Sequence, residues 1–312
     1  MKNPAISICI PTYNRASLLE VGLKSIISQF KTPSIYQRVE IIISDDNSPD
    51  NTAEMIKNYA KKYKNISYYK NKKNIKSDAN IIKSATYAKG NYIWFFGDDD
   101  IHNPWSLKTL LAVIDKFHPD AIICNLDLSS KDGSRILDRN MINLKGDALI
   151  KTKKELFSFL ESKFFMPLDW YITCMSNTIV SRKLFKDNVE TVMKFYDPKS
   201  NNFLHSGLIF YNTADYKIYI ISKSLAIYRG YNISFGPDEN TQKSKYLTFL
   251  YRILKKHNDL IYKINKENMS IKFILLLFLK NLTREIRLKA VKYFNYDISG
   301  ALIKLFHKKG DL

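Results

Sequence analysis

The sequence predicts an α/β fold: a mostly parallel sheet flanked by helices, followed by a C-terminal helical extension. Three observations carry that reading. Short apolar runs rich in β-branched residues alternate with segments whose apolar residues recur at helical spacing, the rhythm of βα units. The runs at 5–10 and 92–96 are nearly continuous in apolar character, as strands buried on both faces are. Polar clusters then follow three of the runs: Thr12-Tyr13-Asn14-Arg15, Asp45-Asp46-Asn47-Ser48 and Asp98-Asp99-Asp100. Parallel strands bring such clusters to one rim beyond their carboxyl ends, where sheets of this kind bind ligands.

Taken in order, residues 5–10 form the first strand, closed by Pro11. Ser17 is the expected cap of a helix reaching about residue 30, with Leu19, Leu23, Ile26, Ile27 and Phe30 on one face. A strand at 39–43 and a helix at 52–63 follow, then a short strand at 66–69. The next helix spans 78–88, with Gly90 placed to end it. After the strand at 92–96, Asn103 and Pro104 read as the cap and first residue of a helix whose stripe is Leu107, Leu110, Leu111, Ile114 and Phe117. Residues 121–126 form a further strand. Beyond Asp127 the rhythm breaks down. Lys131-Asp132-Gly133-Ser134 reads as a hairpin turn. Helix is expected around 155–160, strand at 175–180, a turn at 182–185 and a helix at 201–211 containing His205. Strands at 216–221 and 225–228 precede Arg229-Gly230-Tyr231-Asn232, and helix resumes from about 241.

The stretch richest in chemistry is Tyr92-Ile93-Trp94-Phe95-Phe96-Gly97-Asp98-Asp99-Asp100. Three adjacent carboxylates at the end of a buried strand repel one another unless something cationic is bound. A hard divalent ion with a preference for oxygen ligands is the usual remedy. On an extended backbone Asp98 and Asp100 point the same way and Asp99 the other, which gives two carboxylates to one ion. A solvated acidic loop is the alternative. The glycine patterns of dinucleotide-binding and P-loop sites are absent, so a nucleotide here is held by side chains and the ion.

Composition narrows the class. With 312 residues, 45% apolar and 25% charged, the chain has the make-up of a globular protein with a substantial core. Cys9, Cys124 and Cys174 are odd in number and widely spaced, which favours buried thiols over a disulfide framework or a zinc site. The first apolar run is too short for a signal peptide, and no run reaches the roughly 20 apolar residues of a membrane span. The formal charge is +19, and residues 241–312 hold 16 Lys or Arg against 5 Asp or Glu. Such a tail suits an anionic partner, nucleic acid or a phospholipid surface, unless it is a helical cap on the domain. Against nucleic acid stand the acidic rim and the lack of any basic-aromatic recognition motif.

The Pro-Thr-Tyr-Asn-Arg strand end, the Ser-Asp-Asp-Asn-Ser turn and Phe-Phe-Gly-Asp-Asp-Asp before Asn-Pro, in register over residues 4–125, resemble family 2 of the GT-A-fold glycosyltransferases. The Gly-Asp-Asp-Asp variant looks like members that build O-antigen and capsule, including abequosyltransferase-like enzymes. The resemblance implies an inverting transferase using a nucleoside-diphosphate sugar with Mn2+ or Mg2+. Residues 1–240 become the catalytic domain, with a nucleotide-sugar half (1–125) and an acceptor half (126–240), and 241–312 a basic helical region. By position, Pro11, Thr12 and Tyr13 line the base and ribose, with Arg15 beside them. Asp46 accepts from a pyrimidine ring, with Asp45 nearby. Asn80 meets the diphosphate or sugar, Asp98 and Asp99 join the donor contacts, and Asp98 and Asp100 match the metal-and-ribose acids, Asp100 foremost as ligand. Arg229, with Asn232, falls where many members close a loop over the donor, and a bidentate guanidinium suits diphosphate oxygens.

The chemistry agrees with these residue types. Negative charge develops on the leaving diphosphate, and a divalent ion neutralises it without proton transfer. The acceptor hydroxyl needs a base on the opposite side of the sugar. The family's usual Glu-Asp pair is missing here, so His205 is the first candidate, with Asp197 and Asp169 behind it. The Gln-x-x-Arg-Trp motif of processive members is also missing, which favours addition of one sugar. A lipid-linked saccharide is the expected acceptor, at the cytoplasmic membrane face, with the basic tail on anionic lipid. The readings weighed against this are a nucleic-acid binder, a nucleotidyltransferase (which wants a Gly-rich basic loop absent at 12–15) and an inactive sugar-nucleotide-binding relative.

Overall fold

A computed structural model describes residues 4–130, 132–142, 144–162, 174–196, 203–229 and 259–269. The chain divides into two compact units, Met1–Asn232 and Ile233–Leu312. The first unit is built on a sheet of strands β1 (Ile6–Thr12), β2 (Val39–Asp45), β3 (Ile66–Lys70), β4 (Tyr92–Phe95), β5 (Ile101–His102), β6 (Ala121–Ser129), β7 (Ile136–Asp138), β8 (Ala148–Ile150), β9 (Thr178–Ser181) and β10 (Ile218–Arg229). Helices α1 (Ala16–Ile27), α2 (Pro33–Tyr36), α3 (Thr52–Lys62), α4 (Ser77–Thr86), α5 (Ser106–Phe117), α6 (Lys153–Ser162), α7 (Arg182–Met193) and α8 (Leu204–Phe210) connect them. In the second unit the described residues form a helix at 259–265 and a 3-10 turn, Lys266–Asn268.

The sheet order is β3-β2-β1-β4-β9-β6-β10-β5, with β7 beside β6 and β8 beside β10. The first four strands are all parallel, as the βα rhythm requires. The sheet is mixed beyond them. Strand β9 inserts antiparallel between β4 and β6, and β5 runs antiparallel to β10. Ile6, Ile8 and Ile10 of β1, Leu19, Leu23 and Ile26 of α1, and Leu107, Leu110 and Ile114 of α5 share one core. Each such buried side chain contributes about 1.5–3 kcal/mol.

Several expectations are corrected. Arg15, not Ser17, precedes α1, and the Ala16 N–H is satisfied by Asp50 Oδ2 at 3.0 Å. Gly90 lies beyond the end of α4 and donates to Ser7 Oγ at 2.7 Å, tying that loop to β1. Asn103 does not cap α5, which starts at Ser106; its amide donates to Ser224 Oγ at 2.9 Å and fixes β10 instead. The expected turn at 182–185 is the start of α7, capped by Ser181 Oγ accepting from Leu184 N–H at 3.1 Å. Met175–Asn177 is a 3-10 turn ahead of β9, not strand. The two strands expected at 216–228 are one, β10, irregular about Ser224.

Candidate active site

The carboxyl ends of β1, β2 and β4 converge on one rim. Thr12 sits opposite Asp45 in the β1–β2 register, and the Asp46 N–H donates to Thr12 O at 2.9 Å. Both acids of this first pair are buried and occupied by neutral donors. Asp45 accepts from Ser48 N–H at 2.8 Å and from the Tyr68 hydroxyl at 2.5 Å. Asp46 accepts from Asn71 Nδ2 and Ile75 N–H, each at 2.8 Å, and from Lys76 N–H at 2.9 Å. It thus clasps the loop after β3, where Lys76 takes a positive φ of 74°. A carboxylate has about four acceptor positions, so Asp46 retains one. Asn80 is also built into this frame: its Oδ1 accepts from Ser44 Oγ at 2.7 Å and Asn71 Nδ2 at 3.0 Å, and its Nδ2 donates to Ser44 O at 2.8 Å. Pro11 is buried, whereas Tyr13 stands 46% exposed at the rim.

The second acidic cluster follows β4. The chain turns here, with Asp100 N–H donating to Gly97 O at 3.3 Å, so the alternation of an extended backbone does not apply. One guanidinium nitrogen of Arg15 reaches both Asp98 Oδ1 (3.1 Å) and Asp99 Oδ2 (2.8 Å). Thr12 Oγ1 donates to Asp98 Oδ2 at 2.8 Å. Asp100 is 3% exposed; its Oδ2 accepts from Ser176 Oγ, and the Arg229 N–H stands 3.4 Å from its Oδ1. Arg229 is 2% exposed, which excludes a surface arginine. Its Nε donates to Asp99 O and its Nη2 to Leu18 O at 2.9 Å, joining the acidic turn to α1. Glycine permits two close approaches, one to backbone at Gly22 and one to a side chain at Gly97. A Cβ on Gly22 would lie 2.6 Å from Asp100 O, and one on Gly97 would lie 2.9 Å from Asp100 Oδ2.

These contacts do not neutralise the cluster. Burial, then the neighbouring Asp99 charge, pushes the Asp98 and Asp100 carboxyls up, with Arg15 and Thr12 opposing at Asp98 and Ser176 opposing at Asp100. Burial also raises Asp99 against the pull of Arg15. Burial pushes Arg229 down although the three acids oppose it. The site's own cations therefore do not offset the cost of ionising its acids. The donors are hard oxygens, the set that suits Mg2+ or Mn2+. Among the described residues no group of three or more His, Cys, Asp or Glu is placed to hold a metal ion by itself. An ion held mainly by the phosphates of a bound substrate would need only one or two carboxylates, and Asp98 and Asp100 are the acids here that could supply them.

Residues 7–189 match the family model for glycosyl transferase family 2. The chain belongs to glycosyltransferase family 2. It is 30% identical over 275 residues to abequosyltransferase RfbV of Salmonella typhimurium, covering 86% of this chain and 77% of that protein. It is 26% identical to a GalNAc(5)-diNAcBac-PP-undecaprenol beta-1,3-glucosyltransferase of Campylobacter jejuni, covering 85% and 78%. Mannosyltransferase PcManGT of Pyrobaculum calidifontis, solved with GDP-Man and Mn2+, superposes with a TM-score of 0.57 at 14% identity, covering 100% and 77%. The sheet with its flanking helices is the GT-A form of the α/β fold.

In this glycosyltransferase, Thr12, Arg15, Asp98, Asp99, Asp100 and Arg229 are brought into one bonded cluster. His205 lies on α8, 2% exposed, its ring centroid 6.3 Å from those of Phe95 and Phe203. Asp197, Asp169 and Asn232 lie outside the described residues. Ser176, which touches both Gly97 and Asp100, was not anticipated. A lone serine in Cys-Met-Ser-Asn carries no sequence signal for a partner 76 positions away.

Proposed function

We propose that this chain moves a single sugar, with inversion, from a nucleoside-diphosphate sugar to a saccharide acceptor in the synthesis of a bacterial surface polysaccharide. The observation that carries the reading is the buried acidic turn at the carboxyl ends of β1 and β4, tied to Thr12 and Arg15, whose acids stay costly to ionise beside its own arginines. RfbV is an abequosyltransferase, the Campylobacter relative is named for an undecaprenol-diphosphate acceptor, and PcManGT binds GDP-Man with Mn2+. A lipid-linked acceptor follows by analogy with the second of these. Work at the cytoplasmic membrane face goes with it, the basic region after 240 lying on anionic lipid. Among the described residues no helix is long and apolar enough to cross a membrane.

In this reading Tyr13 offers an exposed ring to the base. Thr12 and Asp98 face the ribose, and Asp46 uses its remaining lone pair on the base while holding the loop at 71–76. Asp45 and Asn80 support that surface from behind. Arg15, released from the acids, turns its charge to the diphosphate, and Arg229 keeps the turn against α1. A bound Mn2+ or Mg2+ at Asp98 and Asp100 would supply positive charge to the departing diphosphate. His205 and Asp197 are the candidates for the base. His205→Gln and Asp197→Asn separate them, since losing the base lowers kcat and leaves donor binding intact.

The test is release of nucleoside diphosphate from a panel of UDP-, dTDP-, CDP- and GDP-sugars. Release with one donor that requires Mn2+ and disappears in Asp100→Ala supports the reading. Failure of every donor to bind or turn over overturns it.

A further inference from the structure

Ser176 is completely buried, and the fold brings it to the acidic turn for a topological reason. Strand β9 runs antiparallel to β4, pairing Tyr92 with Ser181, Ile93 with Val180 and Trp94 with Ile179. The residues just ahead of β9 therefore come level with those just after β4. Ser176 lies there in the 3-10 turn Met175–Asn177, held by its carbonyl, which accepts from Trp94 Nε1 at 2.9 Å. Its hydroxyl accepts from Gly97 N–H at 2.9 Å and donates to Asp100 Oδ2.

The two bonds orient one another. A hydroxyl has a single proton, and fixing one of its lone pairs on the Gly97 N–H leaves the proton to Asp100. Asp100 Oδ2 is thereby occupied. Its Oδ1 faces the Arg229 N–H at 3.4 Å, longer than an ordinary N–H···O bond, and keeps acceptor capacity. Without the serine, the carboxylate would turn about its side-chain torsions next to a Gly97 amide left without its partner.

We propose that Ser176 is a positioning residue for the cation-binding acid. It holds the Asp100 carboxylate in one orientation, with acceptor capacity left on Oδ1 for the ion, and so sets the divalent-cation dependence of donor binding. This rests on the metal-dependent donor reading above. Partners that orient a metal ligand typically change affinity or activity by about 10- to 100-fold when removed.

The experiment uses the full chain and titrates UDP, dTDP, CDP and GDP by calorimetry with and without Mn2+, in wild type, Ser176→Ala, Asp100→Asn and the double variant. Thermal unfolding of each is recorded alongside. Ser176→Ala is expected to weaken Mn2+-dependent binding of the preferred nucleotide by about 10- to 100-fold, and to add nothing once Asp100 is already Asn. Wild-type Mn2+ dependence in Ser176→Ala overturns the proposal. So does a loss of equal size in the Asp100→Asn background, the result of a purely structural serine. If Ser176→Ala does not fold, Ser176→Cys takes its place, with a weaker donor of similar size and the same expected direction. A wild type that binds no nucleotide with Mn2+ removes the donor reading itself, and this role with it.

Discussion

Two acid clusters stand at the ends of parallel strands in one sheet, and they are put to opposite uses. Asp45 and Asp46, after β2, are met by backbone N–H groups, a tyrosine hydroxyl and an asparagine amide, all neutral. Asp98, Asp99 and Asp100, after β4, are met by an arginine, a threonine and a serine, and their ionised forms stay costly, with Asp98 and Asp100 raised in pKa. In the first cluster Asp46 ties down the loop at 71–76, and Asp45 holds Ser48 and Tyr68. The second keeps oxygens in reserve. A buried carboxylate serves the framework where local donors take most of its acceptor positions, and has more to offer a ligand where they take fewer.

The sharpest way to break this comparison is to remove one acid from each cluster. Asp100→Ala is expected to lower kcat/KM by about 10³-fold, the upper range for losing one group that stabilises charge in a transition state, with the chain still folded. Asp46→Ala leaves the Ile75 N–H without its acceptor and takes one of two acceptors from Asn71 Nδ2 and from the Lys76 N–H, and is expected to cost about 1–3 kcal/mol of stability by urea unfolding. The contrast fails if Asp100→Ala unfolds the chain, or if Asp46→Ala leaves its stability intact.

A smaller effect separates the clusters by pH. Asp98 and Asp100 have raised pKa values in the folded chain. Between the unfolded carboxylate value, about 3.9, and the raised ones, the folded state binds more protons than the unfolded state. Stability contributed by these groups is therefore lost as pH rises through that window. Asp100→Asn should gain stability relative to wild type as pH rises, by about 1 kcal/mol or more at neutral pH, and Mn2+ with nucleotide should erase the difference. A stability difference that does not change with pH contradicts the raised pKa. The smallest effect belongs to Tyr13→Ala. At 46% exposed its loss should change stability by less than about 0.5 kcal/mol while weakening nucleotide binding. An unfolding midpoint shifted by more than that would place Tyr13 in the core.

The parallel half was legible because its signals are local. The apolar runs name the strands, and each polar cluster follows its own strand within a few residues. The insertion of β9 was not legible, since an antiparallel strand arriving from residues 178–181 leaves no periodic mark near β4. Helix α7 was hidden for another reason. Its stripe of Leu184, Phe185, Asn188 and Val192 includes a polar residue, Asn188, whose amide is satisfied by Leu184 O. Arg229 was read as a pairing group for diphosphate from its place after a strand. Its burial against Asp99 O and Leu18 O depends on α1 and the acidic turn arriving from distant sequence. Asp98, Asp99 and Asp100 follow β4 directly in sequence, but the turn they make and the one arginine spanning two of them leave no mark there.

The most direct measurement is thermal unfolding of the full chain with UDP, dTDP, CDP and GDP, each with and without Mn2+, for wild type and Asp100→Asn. Binding to the folded state raises the melting temperature by an amount that grows with the logarithm of concentration over Kd. One nucleotide should stabilise wild type only together with Mn2+, and Asp100→Asn should lose that response while losing none from Mn2+-free conditions. Equal stabilisation of both proteins, or none in wild type with any nucleotide and Mn2+, contradicts a cation-dependent donor site at the acidic turn.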